Sequence, residues 1–205
     1  MTKPRSQREL AQTLLKKRGI MRLLELREAG VTAATMSRME RAGEVVRLSR
    51  GVYQLSDAEL DPNHSLAEAA KRVPKGIVCL VSALAFHGLT DQLPPKVWMA
   101  IGSKDWAPQR SGAGIRIVRF TDSLLREGVE THGIEGVPVR IFGVSKTVAD
   151  CFRHRSKVGL SVAIEGLQEA LRQRKATPAE VARQAEKGGV STVVRPYLEA
   201  LTANA

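Results

Sequence analysis

Residues 30–55 read GVTAATMSRMERAGEVVRLSRGVYQL, and this stretch decides the fold of the first part of the chain. Gly30 suits a tight turn that needs a positive φ, and Thr32 is a good N-cap for a helix over 33–41. The apolar positions that pack this helix against a preceding one are Val31, Met36 and Met39. The pattern predicts two helices joined by a short turn containing glycine, a helix–turn–helix.

Two predicted helices precede this stretch. The first covers Ser6–Arg18, where Ser6 and Glu9 have the spacing of a capping box. The second covers Met21–Ala29, with three leucines on its apolar face. Together with the helix over 33–41 they predict a three-helix unit.

Two short strands follow the third helix. They are predicted over Val45–Leu48 and Gly51–Leu55, with Ser49 and Arg50 at the turn between them. Packing on the helices is expected from Val46, Leu48, Val52 and Leu55, although the sequence does not fix which face of the strands is inward. A basic hairpin directly after a helix–turn–helix is a wing, so the sequence predicts a winged helix–turn–helix over roughly Ser6–Ser56.

The charge of the chain is concentrated in this first part. The whole chain has a net charge of +11, and residues 1–56 hold 12 basic and 5 acidic side chains, a net of +7. A strongly basic segment favours an anionic partner, and double-stranded DNA is the first candidate. A basic surface that only aids solubility is the alternative reading.

The expected DNA-binding residues lie on the third helix and the hairpin. They are Thr32, Thr35, Ser37, Arg38, Arg41, Arg47, Ser49 and Arg50. Small residues at the start of the helix let its backbone enter a major groove, where Thr35, Ser37 and Arg38 can reach base edges. Arg41, Arg47 and Arg50 are expected to contact phosphates. A solvated helix face with ordinary arginines is the alternative for this surface.

The residue composition and pattern of the sequence change after residue 56. Residues 57–63 are polar, contain Pro62 and are predicted to form a linker. Residues 64–205 are predicted to form a second, larger α+β domain with a small sheet and a C-terminal helical block. The fold class expected for the whole chain is therefore α+β.

Particular elements of the second domain follow from apolar runs and caps. Strands are expected at Ile77–Val81, Val97–Ile101, Ile115–Phe120 and Val137–Phe142. Helices are expected at His64–Val73, at Ala83–His87 with Ser82 as its cap, and at Ser145–Arg155, Leu160–Arg174 and Thr192–Thr202, with a further helix starting at Pro178.

The sequence holds no strong catalytic motif. Gly102-Ser103 after an apolar strand is typical of a nucleotidyltransferase, but that chemistry needs paired carboxylates for Mg²⁺. Asp105 stands alone, and the next acid is Asp122. Cys151 and His154, three residues apart, are read as packing residues and not as metal ligands. We therefore expect no catalytic residue, no metal and no cofactor, and a protein that is not an enzyme.

The location expected for the chain is the cytoplasm. Two cysteines, Cys79 and Cys151, sit in apolar surroundings and fit a reducing compartment. The N-terminus lacks the apolar segment of a signal peptide. No apolar run approaches the ~20 residues that span a bilayer, so no membrane association is expected.

The chain resembles the AbiEi family of antitoxins from type IV toxin–antitoxin (abortive infection) systems. The matching segments are Arg50–Tyr53, Leu80–Thr90, Lys146–Arg153 and Arg195–Leu201. The resemblance implies an N-terminal domain that binds inverted repeats in the promoter of its own operon and represses it. It also implies a C-terminal domain that counters a nucleotidyltransferase-like toxin without a stable complex. A one-component regulator with a ligand-sensing C-terminal domain is the alternative.

Overall fold

The structure is a computed structural model, and it describes residues 6–59, 61–105, 107 and 114–203. The chain folds into two compact units. The first contains the described residues up to Pro74 together with His132–Val139, and the second contains Lys75–Thr131 and the residues from Arg140 onwards. The predicted linker, residues 57–63, lies within the first unit and not at the boundary between the units.

Four helices and three strands are described in the first unit up to Pro74. They are α1 (Gln7–Arg18), β1 (Met21–Arg22), α2 (Leu23–Glu28), α3 (Ala33–Arg41), β2 (Val45–Ser49), β3 (Val52–Leu55) and α4 (His64–Arg72). The strands form an antiparallel sheet in the order β1-β3-β2. Leu15, Leu26, Met36, Met39 and Tyr53 are among the buried side chains of its core.

Two caps predicted from the sequence are present. The Ser6 hydroxyl accepts from the Glu9 N–H, and the Glu9 carboxylate accepts from the Ser6 N–H, which completes a capping box at the start of α1. The Thr32 hydroxyl accepts from the Thr35 N–H at the start of α3. Each cap satisfies backbone donors that the helix itself leaves unpaired.

The second predicted helix begins two residues later than expected. Met21 and Arg22 form β1, which pairs with Tyr53 and Val52 of the hairpin. A strand this short has no periodicity of its own, so the sequence pattern merged it with the helix that follows. The consequence is a sheet of three strands where the sequence predicted two.

The packing face of the hairpin also differs from the expectation. Val46 is 47% exposed, whereas Val52 is buried as predicted, together with Val45 and Tyr53, which were not expected to pack. The pairing of β2 with β3 shifts register between Arg47 and Ser49. A bulge of this kind moves side chains from one face of a strand to the other.

The described chain after Pro74 contains a five-stranded sheet and seven helices. The strands are β4 (Ile77–Val78), β5 (Val97–Gly102), β6 (Ile115–Phe120), β7 (Val129–Ile134) and β8 (Val137–Phe142). The helices are α5 (Leu80–Phe86), α6 (Asp122–Arg126), α7 (Val144–Arg153), α8 (Arg155–Val158), α9 (Leu160–Arg172), α10 (Pro178–Lys187) and α11 (Ser191–Thr202). The sheet order is β6-β5-β4-β8-β7, and the α+β class is confirmed.

The helical block of the second unit centres on α7. This helix packs against α5, α9 and α10, and Val148, Ala149 and Phe152 are buried in the shared core. α6, α8 and β7 are elements that the sequence pattern did not predict. No helix in the described part of the chain is both long enough and apolar enough to cross a membrane.

The segment after β4 corrects one prediction. The strand expected over Ile77–Val81 ends at Val78, and α5 begins at Leu80 with Cys79 as its N-cap residue. Ser82, the predicted cap, is buried inside the helix, and its hydroxyl accepts from the Trp98 N–H at 3.0 Å. A short apolar run does not distinguish a buried strand from a buried helix, which is why the boundary was misplaced.

Candidate nucleic-acid interface

The turn between α2 and α3 fixes where the third helix starts. Gly30 has a φ of +95°, a conformation that glycine adopts without strain. The N–H of the next residue, Val31, donates to the Leu26 carbonyl at 2.9 Å, and the Val31 side chain is buried. The hydrogen bond and the burial of Val31 therefore fix the chain between the end of α2 and the start of α3.

The outer face of α3 carries small residues and two arginines. Ala33 and Ala34 are exposed at its start, and Arg38 and Arg41 are exposed further along. Ser37 is half-buried, and its hydroxyl accepts from the Arg41 guanidinium at 3.3 Å. The arrangement leaves the beginning of the helix free of large side chains, with positive charge on the same face.

Thr35 does not lie on this outer face, where the sequence placed it. It is 5% exposed, and its hydroxyl lies 2.7 Å from Gln7 Oε1 of α1 and 3.0 Å from the Thr32 hydroxyl. The buried face of α3 consists of Thr35, Met36 and Met39. It is therefore wider than the two methionines that the sequence predicted. Thr35 therefore makes an internal contact between α1 and α3. The exposed Thr32 forms a hydrogen bond to the same Gln7 oxygen.

The hairpin presents two more arginines. Arg47 on β2 and Arg50 at the turn are exposed, and Gly51 closes the turn with a φ of +74°. Ser49 is half-buried, and its hydroxyl has no hydrogen-bond partner among the described residues. The structure thus brings Arg47 and Arg50 to the surface of the first unit as the sequence predicted.

No carboxylate in the described ranges forms an ion pair with Arg38, Arg41, Arg47 or Arg50. Arg8 of α1 provides a contrast, because its guanidinium lies 2.6 Å from Glu44 and is neutralised there. Each of these four exposed cations could therefore contact an anion without first breaking an ion pair. Gln7 was missed by the sequence analysis, since its role depends on a contact between helices that no local pattern reveals.

One pair of acids in the second unit is closer than the sequence indicated. A Cβ atom on Gly102 would lie 2.8 Å from Asp105 Oδ2 and 3.2 Å from Asp122 Oδ1, so both carboxylates border this glycine. The Asp105 carboxylate accepts from the Gly102 N–H at 3.0 Å and from Lys75 at 3.3 Å. The backbone hydrogen bond, reinforced by Lys75, lowers the pKa of Asp105. The carboxylate is therefore already engaged by protein donors.

Cys79 and Cys151 belong to the hydrophobic core of the second unit, and His154 packs against a ring of that core. Cys79 and Cys151 are free and fully buried, and burial raises the pKa of both thiols. The ring of His154 packs on Phe120 with 5.1 Å between centroids. Within the residues that the structure describes, no group of three or more His, Cys, Asp or Glu side chains has the geometry of a metal site.

Comparisons with known proteins bear on the first unit most directly. Residues 8–56 match a family described as transcriptional regulator, AbiEi antitoxin, which confirms for this segment the family that the sequence resembles. No curated protein matches the chain. Among solved structures, the chain is similar to the crystal structure of the RV2827C protein from Mycobacterium tuberculosis, with a TM-score of 0.56 and 15% sequence identity over 95% of this chain and 79% of that chain. At that identity the likeness shows the fold alone.

Proposed function

We propose that the protein is a DNA-binding transcriptional repressor of its own operon and the antitoxin of a type IV toxin–antitoxin system. DNA binding is assigned to residues 1–56, used as a winged helix–turn–helix, and the antitoxin role to residues 64–205, with 57–63 joining them. The expected partner of the first part is an inverted repeat in duplex DNA. The second part is expected to counter a nucleotidyltransferase-like toxin without forming a stable complex with it.

The observation that carries the proposal is the set of four exposed arginines on α3 and the β2–β3 hairpin, to which the described residues supply no ion-pair partner. B-DNA has a major groove about 12 Å wide that admits one helix. The small side chains of Ala33 and Ala34 allow the start of α3 to approach the bases closely. We assign Arg38 and Ser37 of the same helix to base edges, and Arg41, Arg47 and Arg50 to flanking phosphates.

The antitoxin half of the proposal is supported by the family match over residues 8–56 and by the resemblance of three later segments. In this reading the transferase chemistry belongs to the toxin. Asp105, one of the two acids near Gly102, is bound by donors of the protein itself, which supports a role other than catalysis for this chain.

The DNA-binding half is tested with the DNA that lies immediately upstream of the gene. Arg38→Ala, Arg41→Ala, Arg47→Ala and Arg50→Ala are each titrated with this duplex by fluorescence anisotropy at several salt concentrations. Each lost phosphate contact is expected to reduce the slope of log K against log salt by ~0.9. Arg195→Ala is the matched control, because it removes one exposed arginine from α11 and the same unit of charge.

Wild-type affinity and slope in all four variants would contradict the proposed DNA face. The antitoxin role has a separate readout, the growth of cells that express the toxin encoded beside this gene. We expect the Arg38→Ala variant to lose repression and still restore growth. Failure of the wild-type chain to restore growth would remove the antitoxin role and leave the repressor role standing.

A groove in the second unit favours one alternative, a one-component regulator with a ligand-sensing domain. It measures about 810 Å³ and is lined by Trp98, Lys96, Arg116, Lys157 and Leu93, among others. This volume falls in the range of small-molecule sites. A rise in melting temperature with a metabolite, coupled to release of DNA, would favour this alternative over the antitoxin role.

A further inference from the structure

Gln7 at the start of α1 binds the start of α3 through a single oxygen atom. Its Oε1 accepts from the Thr32 N–H at 3.3 Å and from the Thr32 hydroxyl at 2.9 Å. The Thr35 hydroxyl also donates to it, at 2.7 Å. Three donors from two residues therefore converge on one side-chain carbonyl.

The backbone donor fixes the orientation of this amide. A main-chain N–H can only donate, so the group of Gln7 that faces Thr32 must be its carbonyl oxygen and not its NH₂. With Oε1 facing the two hydroxyls, each of them donates to Gln7. The lone pairs of the Thr35 hydroxyl are then available to accept a hydrogen bond from elsewhere.

Arg38 donates to the Thr35 hydroxyl at these lone pairs. Its Nη2 atom lies 3.4 Å from the Thr35 hydroxyl, and its Nε lies 3.4 Å from the Ala34 carbonyl. A directed series of hydrogen bonds thus runs from Arg38 to Thr35 and from Thr35 to Gln7. Two protein acceptors hold the guanidinium at the surface of α3, and its remaining N–H groups can face outwards.

We propose that Gln7 and Thr35 are positioning residues that orient the Arg38 guanidinium to read a base. This inference rests on the proposed DNA binding of the first unit. A guanidinium recognises guanine through two parallel hydrogen bonds, which require a fixed plane, whereas a phosphate contact requires only nearby charge. The buried Thr35 therefore contributes to sequence selectivity through Arg38 and does not touch DNA.

We therefore expect that the preference for a base pair can be lost while the dependence of DNA affinity on salt stays unchanged. Thr35→Val replaces the hydroxyl by a methyl group of similar shape at a buried position, and Gln7→Met removes the shared acceptor. Both variants keep the charge of Arg38. Each is expected to lose about tenfold in preference for the cognate base pair, the effect of weakening one bidentate contact, with no change in the salt slope.

The experiment is a binding selection from a duplex library with 20 randomised base pairs, followed by sequencing and by salt titration of the selected duplex. Wild type, Thr35→Val, Gln7→Met, Arg38→Ala and Thr35→Ser are compared, with melting temperatures recorded for all. Thr35→Ser keeps the hydroxyl and is expected to retain the wild-type preference. Arg38→Ala is expected to relax the same base pair as Thr35→Val.

Two results would overturn the inference. One is full selectivity in Thr35→Val and Gln7→Met while Arg38→Ala loses it. The other is a loss in these two variants that falls equally on all sequences or that Thr35→Ser shares. A wild-type protein that binds no duplex at all would instead overturn the proposed function, and the inference with it. Because Gln7 is exposed, Gln7→Met keeps the test available if Thr35→Val does not fold.

Discussion

The half-buried ring of His154 illustrates how a single side chain makes stability depend on pH. It lies at the end of α7, where burial is the main cause that lowers its pKa to about 4 from its ordinary value of 6.5. Repulsion from Lys157, Arg153 and Lys146 lowers the pKa further. The folded chain therefore holds this ring neutral, packed on Phe120, at pH values where the unfolded chain protonates it.

The sign of the effect on stability follows from that difference. Between pH 6.5 and about 4 the unfolded chain binds a proton that the folded chain does not, so stability falls as the pH falls through this window. The His154→Phe substitution keeps an aromatic ring at this position and removes the group that binds the proton. We expect the melting temperature of the wild type to drop more steeply than that of His154→Phe between pH 7 and pH 4.5. Parallel curves would show that His154 titrates normally.

At the scale of elements, the end of α1 depends on a glycine for two reasons. Gly19 has a φ of +62°, a backbone conformation that L side chains rarely adopt. A Cβ atom there would also overlap the main-chain carbonyl of Glu135. Gly43, just beyond α3, has a φ of +72° with nothing within 4 Å of such a Cβ atom. The two sites share the first constraint and differ in the second.

Alanine substitution separates the two constraints. Gly43→Ala is expected to lower the free energy of unfolding by about 1–2 kcal/mol, the cost of a left-handed conformation for a residue with a Cβ atom. Gly19→Ala carries the same cost and must also displace a main-chain carbonyl, so we expect at least twice the loss. Urea unfolding of both variants measures the difference. Equal losses would mean that the chain at Glu135 moves aside without cost.

At the scale of the whole molecule, the first unit is completed by a segment distant in sequence. The Glu135 carboxylate is largely buried and accepts from Gln54 at 3.1 Å, from the Asp61 N–H at 2.7 Å and from His64 at 2.9 Å. Gln54 itself is only 4% exposed. Glu135 therefore satisfies donors of β3, of the chain before α4, and of α4 itself.

Removing this acceptor should weaken segments of the first unit that lie far from Glu135 in the sequence. Glu135→Ala leaves the buried Gln54 amide without its partner, a loss of about 1–3 kcal/mol for an unsatisfied buried group. We expect faster hydrogen exchange in β3 and at the start of α4, measured by mass spectrometry on the full chain. Glu28→Ala, an exposed glutamate on α2, is the control and should leave exchange in these segments unchanged.

The local elements of the first unit could be predicted because their signals are local. Ser6 with Glu9, and Thr32 before 33–41, mark helix starts through donors and acceptors three residues apart. The concentration of arginines on α3 and the hairpin is likewise visible in the sequence. The α+β class followed from apolar runs and helical spacing in the second part.

Contacts between distant residues had to come from the tertiary structure. Hydrogen bonding to Gln7, on another helix, draws Thr35 inward, and no pattern within α3 reveals this. Met21–Arg22 becomes a strand only because Val52–Tyr53 lies beside it. His132–Val139 joins the first unit through the hydrogen bonds that Glu135 accepts.

The sequence by itself determined the order of most elements, the N-terminal caps of α1 and α3, and the charge of the proposed DNA surface. The tertiary structure alone decided which hydroxyl is buried, which short segment pairs and which distant loop completes the first unit. The physical reason is the distance along the sequence between the residues that interact. Caps and helical faces depend on residues three or four positions apart, whereas burial and strand pairing depend on which segments meet once the chain has folded.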